Sequence, residues 1–160
     1  APMPSRALLD AVARYLEPRR LVTSELHVRP PRYRRVAVHA TLHIDCTAHV
    51  AADVVQRAID RINAFFDPLT GGPDAIGWPI GRTVYRNELI ALLTSVDGVA
   101  RVTDFGLNGP CGQGVCCDNV VLCADELVRP GRHRLRVQSA LPTNLKRSDA
   151  HECEPERSCA

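Results

Sequence analysis

The chain has 160 residues, enough for one domain with a hydrophobic core and too few for two of ordinary size. Its formal net charge of +2 argues against a dedicated nucleic-acid-binding protein, in which a strongly basic balance is expected. No apolar run approaches the roughly 20 residues of a membrane-spanning helix, and the N-terminus lacks the apolar segment of a signal peptide. We therefore expect a soluble protein that is made in the cytoplasm and does not insert directly into a membrane.

The first half of the chain predicts two helices and a strand. Ser5 is a suitable cap for a helix that Pro18 ends. The apolar stripe of this helix consists of Leu8, Leu9, Val12 and Leu16. We expect the helix to dock on the domain by that stripe. Residues 21–28 are predicted to be extended, and residues 35–45 alternate like a strand with one buried face. A second amphipathic helix is predicted at about residues 51–66.

The second half contains the only tryptophan, Trp78. Gly77, Pro79 and Gly81 surround it, and they favour a tight turn because glycine opens positive φ while proline fixes its own φ. We expect this turn to direct Trp78 into the core.

A short helix should follow, with apolar residues at helical spacing between residues 89 and 96. Asn87 is its expected N-cap, Glu88 suits the positive end of the helix dipole, and Gly98 should end it. Strands are predicted at residues 99–107 and 120–122, with a further short strand around residues 135–137.

Helices and strands without regular alternation indicate the α+β class. We predict a mainly antiparallel or mixed sheet with about three helices packed on it, forming a single domain over residues 1–138. Residues 139–160 are polar, and they contain too little apolar surface to offset the entropy lost on ordering. We expect this segment to be a flexible tail.

The second half of the chain contains three features in order: a tryptophan flanked by glycines, a short helix, and a Gly-Val pair at the start of a strand. The matching segments are Gly77-Trp78, Gly81-Arg82-Thr83-Val84-Tyr85, residues 88–96 and Gly98-Val99. This pattern resembles the C-terminal part of baseplate J-like proteins, and the resemblance extends over most of residues 5–138. One departure is Ile80, where an aromatic residue is expected.

The resemblance implies a non-enzymatic structural component of a baseplate wedge, in a contractile phage tail or related injection system. Its expected partners are other wedge subunits, including further copies of itself, with the sheath and tail tube as neighbours. No cofactor is implied. The residues carried over as the structural motif are Gly77, Trp78, Gly81, Arg82, Tyr85 and Gly98. Arg82 either pairs with a carboxylate such as Asp97 or Asp104 or orients the tryptophan turn.

Positive charge is concentrated near the N-terminus, where residues 1–37 contain eight arginines and three acidic residues. Arg32, Arg34 and Arg35 are the candidate interface for an acidic surface of a wedge partner. The alternative is an ordinary solvated surface.

Seven cysteines invite a metal or disulfide interpretation. Four of them cluster between glycines: Cys111, Cys116, Cys117 and Cys123. Zinc sites usually use paired short knuckles, which this spacing does not match. We expect reduced thiols and no bound metal. A disulfide among these cysteines remains open, and a small zinc-binding or thiol-redox domain built on this cluster is the alternative function.

The histidines give no catalytic or metal site. His39 and His43 share a strand face roughly 13 Å apart, too far for one ion, so we place them on the solvent or interface face. His133 is the nearest candidate base for a nucleophilic cysteine, but nothing in the sequence connects it to a thiol. No catalytic residue is predicted.

Overall fold

The computed structural model describes residues 2–45, 50–108 and 119–139. In chain order the elements are α1 (Arg6–Leu16), a 3-10 turn (Glu17–Arg19), β1 (Arg32–Ile44), α2 (Ala51–Phe65), β2 (Val84–Tyr85), α3 (Arg86–Thr94), β3 (Val99–Asn108), β4 (Asn119–Val120), β5 (Glu126–Pro130) and β6 (Arg134–Ser139). The predicted α+β class, with three helices and a mixed sheet in one domain, is confirmed. The tail prediction for residues 139–160 falls almost entirely outside the described residues.

Strand β1 is the centre of the main sheet. Strand β3 pairs with it antiparallel along one side, whereas β5 and then β6 pair with it in parallel along the other. The change from β5 to β6 occurs at Gly131, whose N–H donates to the Val36 carbonyl oxygen at 2.8 Å. A Cβ on Gly131 would lie 2.9 Å from the same oxygen, so the close approach requires glycine.

The core lies between one face of the sheet and the helices α2 and α3. The predicted apolar face of β1 is confirmed, because Val36, Val38, Ala40, Leu42 and Ile44 are all buried. The opposite face is exposed or half-buried only as far as His39, because Thr41 and His43 are buried as well. Helix α2 contributes Val54, Ala58 and Ile62, and α3 contributes Leu89 and Leu93. Burial of these side chains is the main favourable term in folding the domain.

The predicted docking of α1 is wrong. Ser5 caps the helix as expected, because its side-chain oxygen accepts a hydrogen bond from the Leu8 N–H at 3.2 Å. None of the residues of α1 is buried, however, and none belongs to the core. The apolar stripe forms as predicted, but Leu8, Val12 and Leu16 are exposed and Leu9 is only half-buried.

Two predicted boundaries of the tryptophan helix are wrong. Asn87 is not the N-cap of α3; the Arg86 N–H instead donates to the Asn119 side chain at 3.0 Å, so β4 supplies the missing acceptor. Gly98 does not end the helix, which stops at Thr94. With φ of +93°, Gly98 instead forms the turn into β3.

Three strand predictions need correction. His43 does not lie on a solvent face: it is buried, and its Nε2 contacts the Thr103 hydroxyl at 2.9 Å. Val121 lies outside β4 and is exposed. Residues 21–28, predicted to be extended, begin with a turn in which the Ser24 N–H donates to the Leu21 carbonyl oxygen at 3.0 Å. Strand β5 has no counterpart among the predicted strands. None of the described helices is long and apolar enough to cross a membrane.

Candidate functional site

Trp78 is the centre of a packed aromatic cluster. Its side chain is only 3% exposed, which confirms that the glycine-rich turn directs it into the core. The rings of Phe65 and Phe66 meet it edge-on, with centroids at 5.4 Å and 5.9 Å. The indole N–H donates to the Arg82 carbonyl oxygen at 3.3 Å, so the polar atom of the ring is satisfied.

The loop between α2 and Trp78 holds the ring in place through its own backbone. The Asp67 carboxylate accepts hydrogen bonds from the Leu69 and Thr70 N–H groups, both at 2.8 Å, and these bonds lower the pKa of Asp67. Gly72 adopts a φ of +79°, and a Cβ there would lie 2.6 Å from the Gly77 carbonyl oxygen. The loop therefore crosses itself too closely for any other residue at this position.

Arg82 clamps this turn to α3. Its guanidinium group binds both carboxylate oxygens of Glu88, at 2.6 Å and 3.0 Å. The same group lies 5.4 Å from the centroid of the Trp78 ring and 5.3 Å from that of Tyr85. The predicted partners Asp97 and Asp104 are therefore wrong, and the geometry fits the alternative in which Arg82 orients the tryptophan turn.

His133 connects three elements, a role that the sequence analysis missed. Its Nδ1 accepts a hydrogen bond from the Val38 N–H at 3.1 Å, and its Nε2 lies 3.2 Å from the Asn63 side-chain oxygen. Because Nδ1 is an acceptor, the ring is neutral with its proton on Nε2. Burial lowers the pKa of His133, and the neighbouring His39 lowers it further. This histidine therefore ties α2 to the sheet and is not a candidate base.

Most of the cysteine cluster lies outside the described residues, including Cys111, Cys116 and Cys117. Cys123 is described; it is an exposed free thiol whose backbone N–H donates to the Glu126 carboxylate at 3.0 Å. Within residues 2–45, 50–108 and 119–139, no group of three or more His, Cys, Asp or Glu side chains could hold a metal ion. Zinc binding by the cluster and its absence both stay predictions.

The three arginines of the candidate interface lie in different surroundings. Arg32 pairs with Asp125 at 2.9 Å, and Arg34 lies 3.9 Å from a Glu126 oxygen. Arg35 is exposed and lies on the opposite face of the sheet from Arg32 and Arg34. Substituting Arg32 and Arg34 would therefore break internal ion pairs as well as any interface, so they are poor probes of docking.

The largest unpartnered apolar feature is the stripe on α1. Leu8 is 54% exposed, and Val12 and Leu16 are also exposed. On the same helix Tyr15 is exposed, and the Arg19 guanidinium group lies 3.9 Å from its ring centroid. The Tyr33 hydroxyl donates a hydrogen bond to the Pro2 carbonyl oxygen at 2.6 Å, which links the N-terminal segment to the sheet.

No family model and no curated protein matches the sequence of this chain.

Proposed function

We propose that this chain is a structural component of the baseplate of a contractile phage tail or contractile injection particle. In this role it joins wedge subunits through protein–protein contacts and catalyses no reaction. The resemblance of Gly77-Trp78, residues 81–85 and Gly98-Val99 to baseplate J-like proteins supports the class of assembly. The proposal places the protein in the cytoplasm first and in the particle afterwards.

The observation that carries the assembly role is the exposed stripe of α1. Leu8, Val12 and Leu16 recur at i, i+4 and i+8, the spacing by which an amphipathic helix anchors in the groove of a partner. A helix of this type ordinarily buries its apolar side, and contiguous exposed apolar surface marks interaction sites. The stripe therefore fits a groove on another wedge subunit or on a second copy of this chain.

Charge around the stripe suits the same role. Arg6, Arg14 and Arg19 lie on or directly after α1, and all three are exposed. Exposed charges at the margin of an interface mainly speed and orient docking, while buried apolar anchors supply the affinity. We assign the affinity to the stripe and the orientation to these arginines.

The test is incorporation of tagged chains into particles in the native source. One variant carries Leu8→Ser, Val12→Ser and Leu16→Ser. Its matched control carries Ala7→Ser, Asp10→Ser and Ala11→Ser, which places three serines on exposed positions of the same helix and keeps its arginines. The wild-type and control chains should co-purify with sheath, tube and wedge proteins. The stripe variant should do so at least about tenfold less, which corresponds to a loss of about 1.4 kcal/mol.

Two outcomes would contradict the proposal. If the wild-type chain co-purifies with no sheath, tube or wedge protein, the baseplate assignment is wrong. If the stripe variant is incorporated as well as the control, α1 is not the docking element.

A further inference from the structure

The sheet has a second face, which points away from α2 and α3, and it is rich in arginine. On β1 the residues that alternate with the apolar core positions point to this face, among them Arg35, His39, Thr41 and His43. Arg35 is exposed and His39 is half-buried, whereas Thr41 and His43 are buried. The strand register places an arginine of a neighbouring strand beside each: Arg129 beside Arg35, Arg134 beside His39, Arg136 beside Thr41, and Arg101 beside His43. We call Arg35, Arg101, Arg129, Arg134 and Arg136 the arginine face.

These five guanidinium groups lack ion-pair partners within the described part of the chain. Arg32, Arg34 and Arg82, in contrast, each have a carboxylate partner. Four of the five are exposed and Arg129 is half-buried. Five like charges on one face repel each other, with Asp104 as a counter-charge near His43. Binding of an anionic partner would reduce this repulsion.

The histidines on this face report the same positive potential. Burial lowers the pKa of His39, and the charges of Arg134 and Arg136 lower it further. Burial also lowers the pKa of His43, and Arg101 adds to that effect while Asp104 opposes it. The arginines therefore act on their neighbours as a connected patch.

The arginines of the arginine face are spaced like the residues on one side of a β-strand. Alternate residues such as Arg134 and Arg136 repeat about every 6.6 Å along a strand, and neighbouring strands lie about 4.8 Å apart. An extended polypeptide with carboxylates at alternate positions repeats at the same interval. A guanidinium group binds a carboxylate through two parallel hydrogen bonds. Along a row of arginines, each guanidinium group could bind one carboxylate of such a peptide in this way.

The composition of the face disfavours nucleic acid. Sheets that bind single-stranded nucleic acid offer aromatic rings on which the bases stack. Here the arginines have small neighbours such as Thr41, Thr103 and Gly106. The rings on this face are engaged or covered: His43 is buried against the Thr103 hydroxyl, and Tyr33 donates its hydroxyl to the Pro2 carbonyl oxygen.

We propose that the arginine face docks an acidic polypeptide segment in extended conformation, with carboxylates at alternate positions. The partner is defined by this pattern of charge and does not depend on the baseplate assignment. Docking on this face would leave the stripe of α1 free for a different contact.

The probe is a fluorescently labelled peptide of six Glu-Thr repeats, and its binding is measured by fluorescence anisotropy at low salt. A peptide of three Glu-Glu-Thr-Thr repeats has the same composition, but in an extended chain it divides its carboxylates equally between the two sides, whereas the alternating peptide has them all on one side. A 12-nucleotide oligo-dT serves as the nucleic-acid comparison. Residues 152–156 of the chain itself carry glutamates at alternate positions. Binding is therefore measured both in the natural chain and with Glu152→Gln, Glu154→Gln and Glu156→Gln.

The variant of the arginine face, called the patch variant, carries Arg101→Ser, Arg134→Ser and Arg136→Ser. Its control carries Arg6→Ser, Arg29→Ser and Arg61→Ser, which removes the same charge from exposed positions elsewhere. The alternating peptide should bind more tightly than the paired peptide, and more weakly as salt is raised. The patch variant should lose about tenfold or more in affinity, equivalent to about 1.4 kcal/mol, while the control stays near wild type and both keep the wild-type melt.

Three results would overturn the proposal: no peptide binding in either form of the chain, equal loss in the patch variant and its control, or oligo-dT binding at least as tight as the alternating peptide.

Discussion

Helices α1 and α2 have the same kind of sequence and opposite surroundings. Both are amphipathic, with apolar residues at helical spacing. In α2 the side chains of Val54, Ala58 and Ile62 are fully buried, whereas α1 buries none of its residues. Periodicity therefore determines that a helix forms with one apolar side. It does not determine what covers that side.

The reason lies in the connections. Helix α2 leads into Phe66 and the tryptophan loop, so its apolar side is held against the sheet by the same cluster that buries Trp78. Helix α1 is separated from β1 by residues 20–31, which contain no regular element and end in Pro30-Pro31. Because none of the residues of α1 is buried, its stripe is available to another protein.

The largest predicted effect is at the aromatic cluster. Trp78→Ala should lower the free energy of unfolding by roughly 3 to 5 kcal/mol, because it leaves a cavity beside Phe65 and Phe66. The matched change Tyr15→Ala removes an exposed ring from α1 and should stay within about 0.5 kcal/mol of wild type. Denaturant unfolding measures both. A loss below about 1 kcal/mol for Trp78→Ala would contradict its role in the core.

The second effect is at His133. His133→Ala leaves the Val38 N–H without its acceptor and should cost about 1 to 3 kcal/mol, the usual cost of an unsatisfied buried polar group. His133→Gln, which keeps an acceptor, should cost less. Equal losses in the two variants would show that the hydrogen bond contributes nothing.

The same histidine gives a pH dependence with a definite sign. Its pKa is lowered on folding, so the unfolded chain binds more protons around its ordinary pKa of about 6.5. The contribution of neutral His133 to stability is therefore fully present above that value, and it is lost as the pH falls below it towards the pKa of the folded state. His39 and His43 act in the same direction. Between about pH 7.5 and 5.5 the denaturant midpoint should fall more in wild type than in His133→Ala; equal falls would contradict this assignment.

The Arg82 clamp should give a smaller effect. Glu88→Gln weakens a two-point ion pair whose side chains are partly exposed, so solvent screening limits the expected loss to about 1 kcal/mol or less. Arg20→Gln, at the more exposed pair with Glu17 next to α1, should be near zero. High salt should reduce the difference between Glu88→Gln and wild type. A loss that persists unchanged in high salt would contradict an electrostatic origin.

Local patterns predicted much of this fold. The apolar face of β1, the Ser5 cap and the turn that buries Trp78 depend on neighbouring residues, and all three are confirmed. Two features that the sequence analysis missed depend on distant residues: Asn119 supplies the acceptor at the start of α3, and strand β6 places arginines beside the histidines of β1. The error at Arg82 is local, because its partner Glu88 is nearer in sequence than the expected Asp97 and Asp104. The arginine face and the His133 contacts exist only in that register.

The smallest predicted effect on stability is at the stripe of α1. Leu8→Ser, Val12→Ser and Leu16→Ser together should leave the denaturant midpoint nearly unchanged, because these side chains are exposed before and after the change. The comparison is Ile62→Ala in α2, which should cost about 2 to 5 kcal/mol. A comparable loss in the stripe variant would mean that α1 packs on its own domain.

Hydrogen exchange of the backbone amides in α1 and α2 tests the central claim most directly. In the isolated chain the amides of α1 should exchange much faster than those of α2, because α1 buries none of its residues and α2 buries three. In assembled particles the α1 amides should become protected, since the stripe is then covered. If α1 in the isolated chain is already as protected as α2, or gains no protection on assembly, α1 is not a docking element.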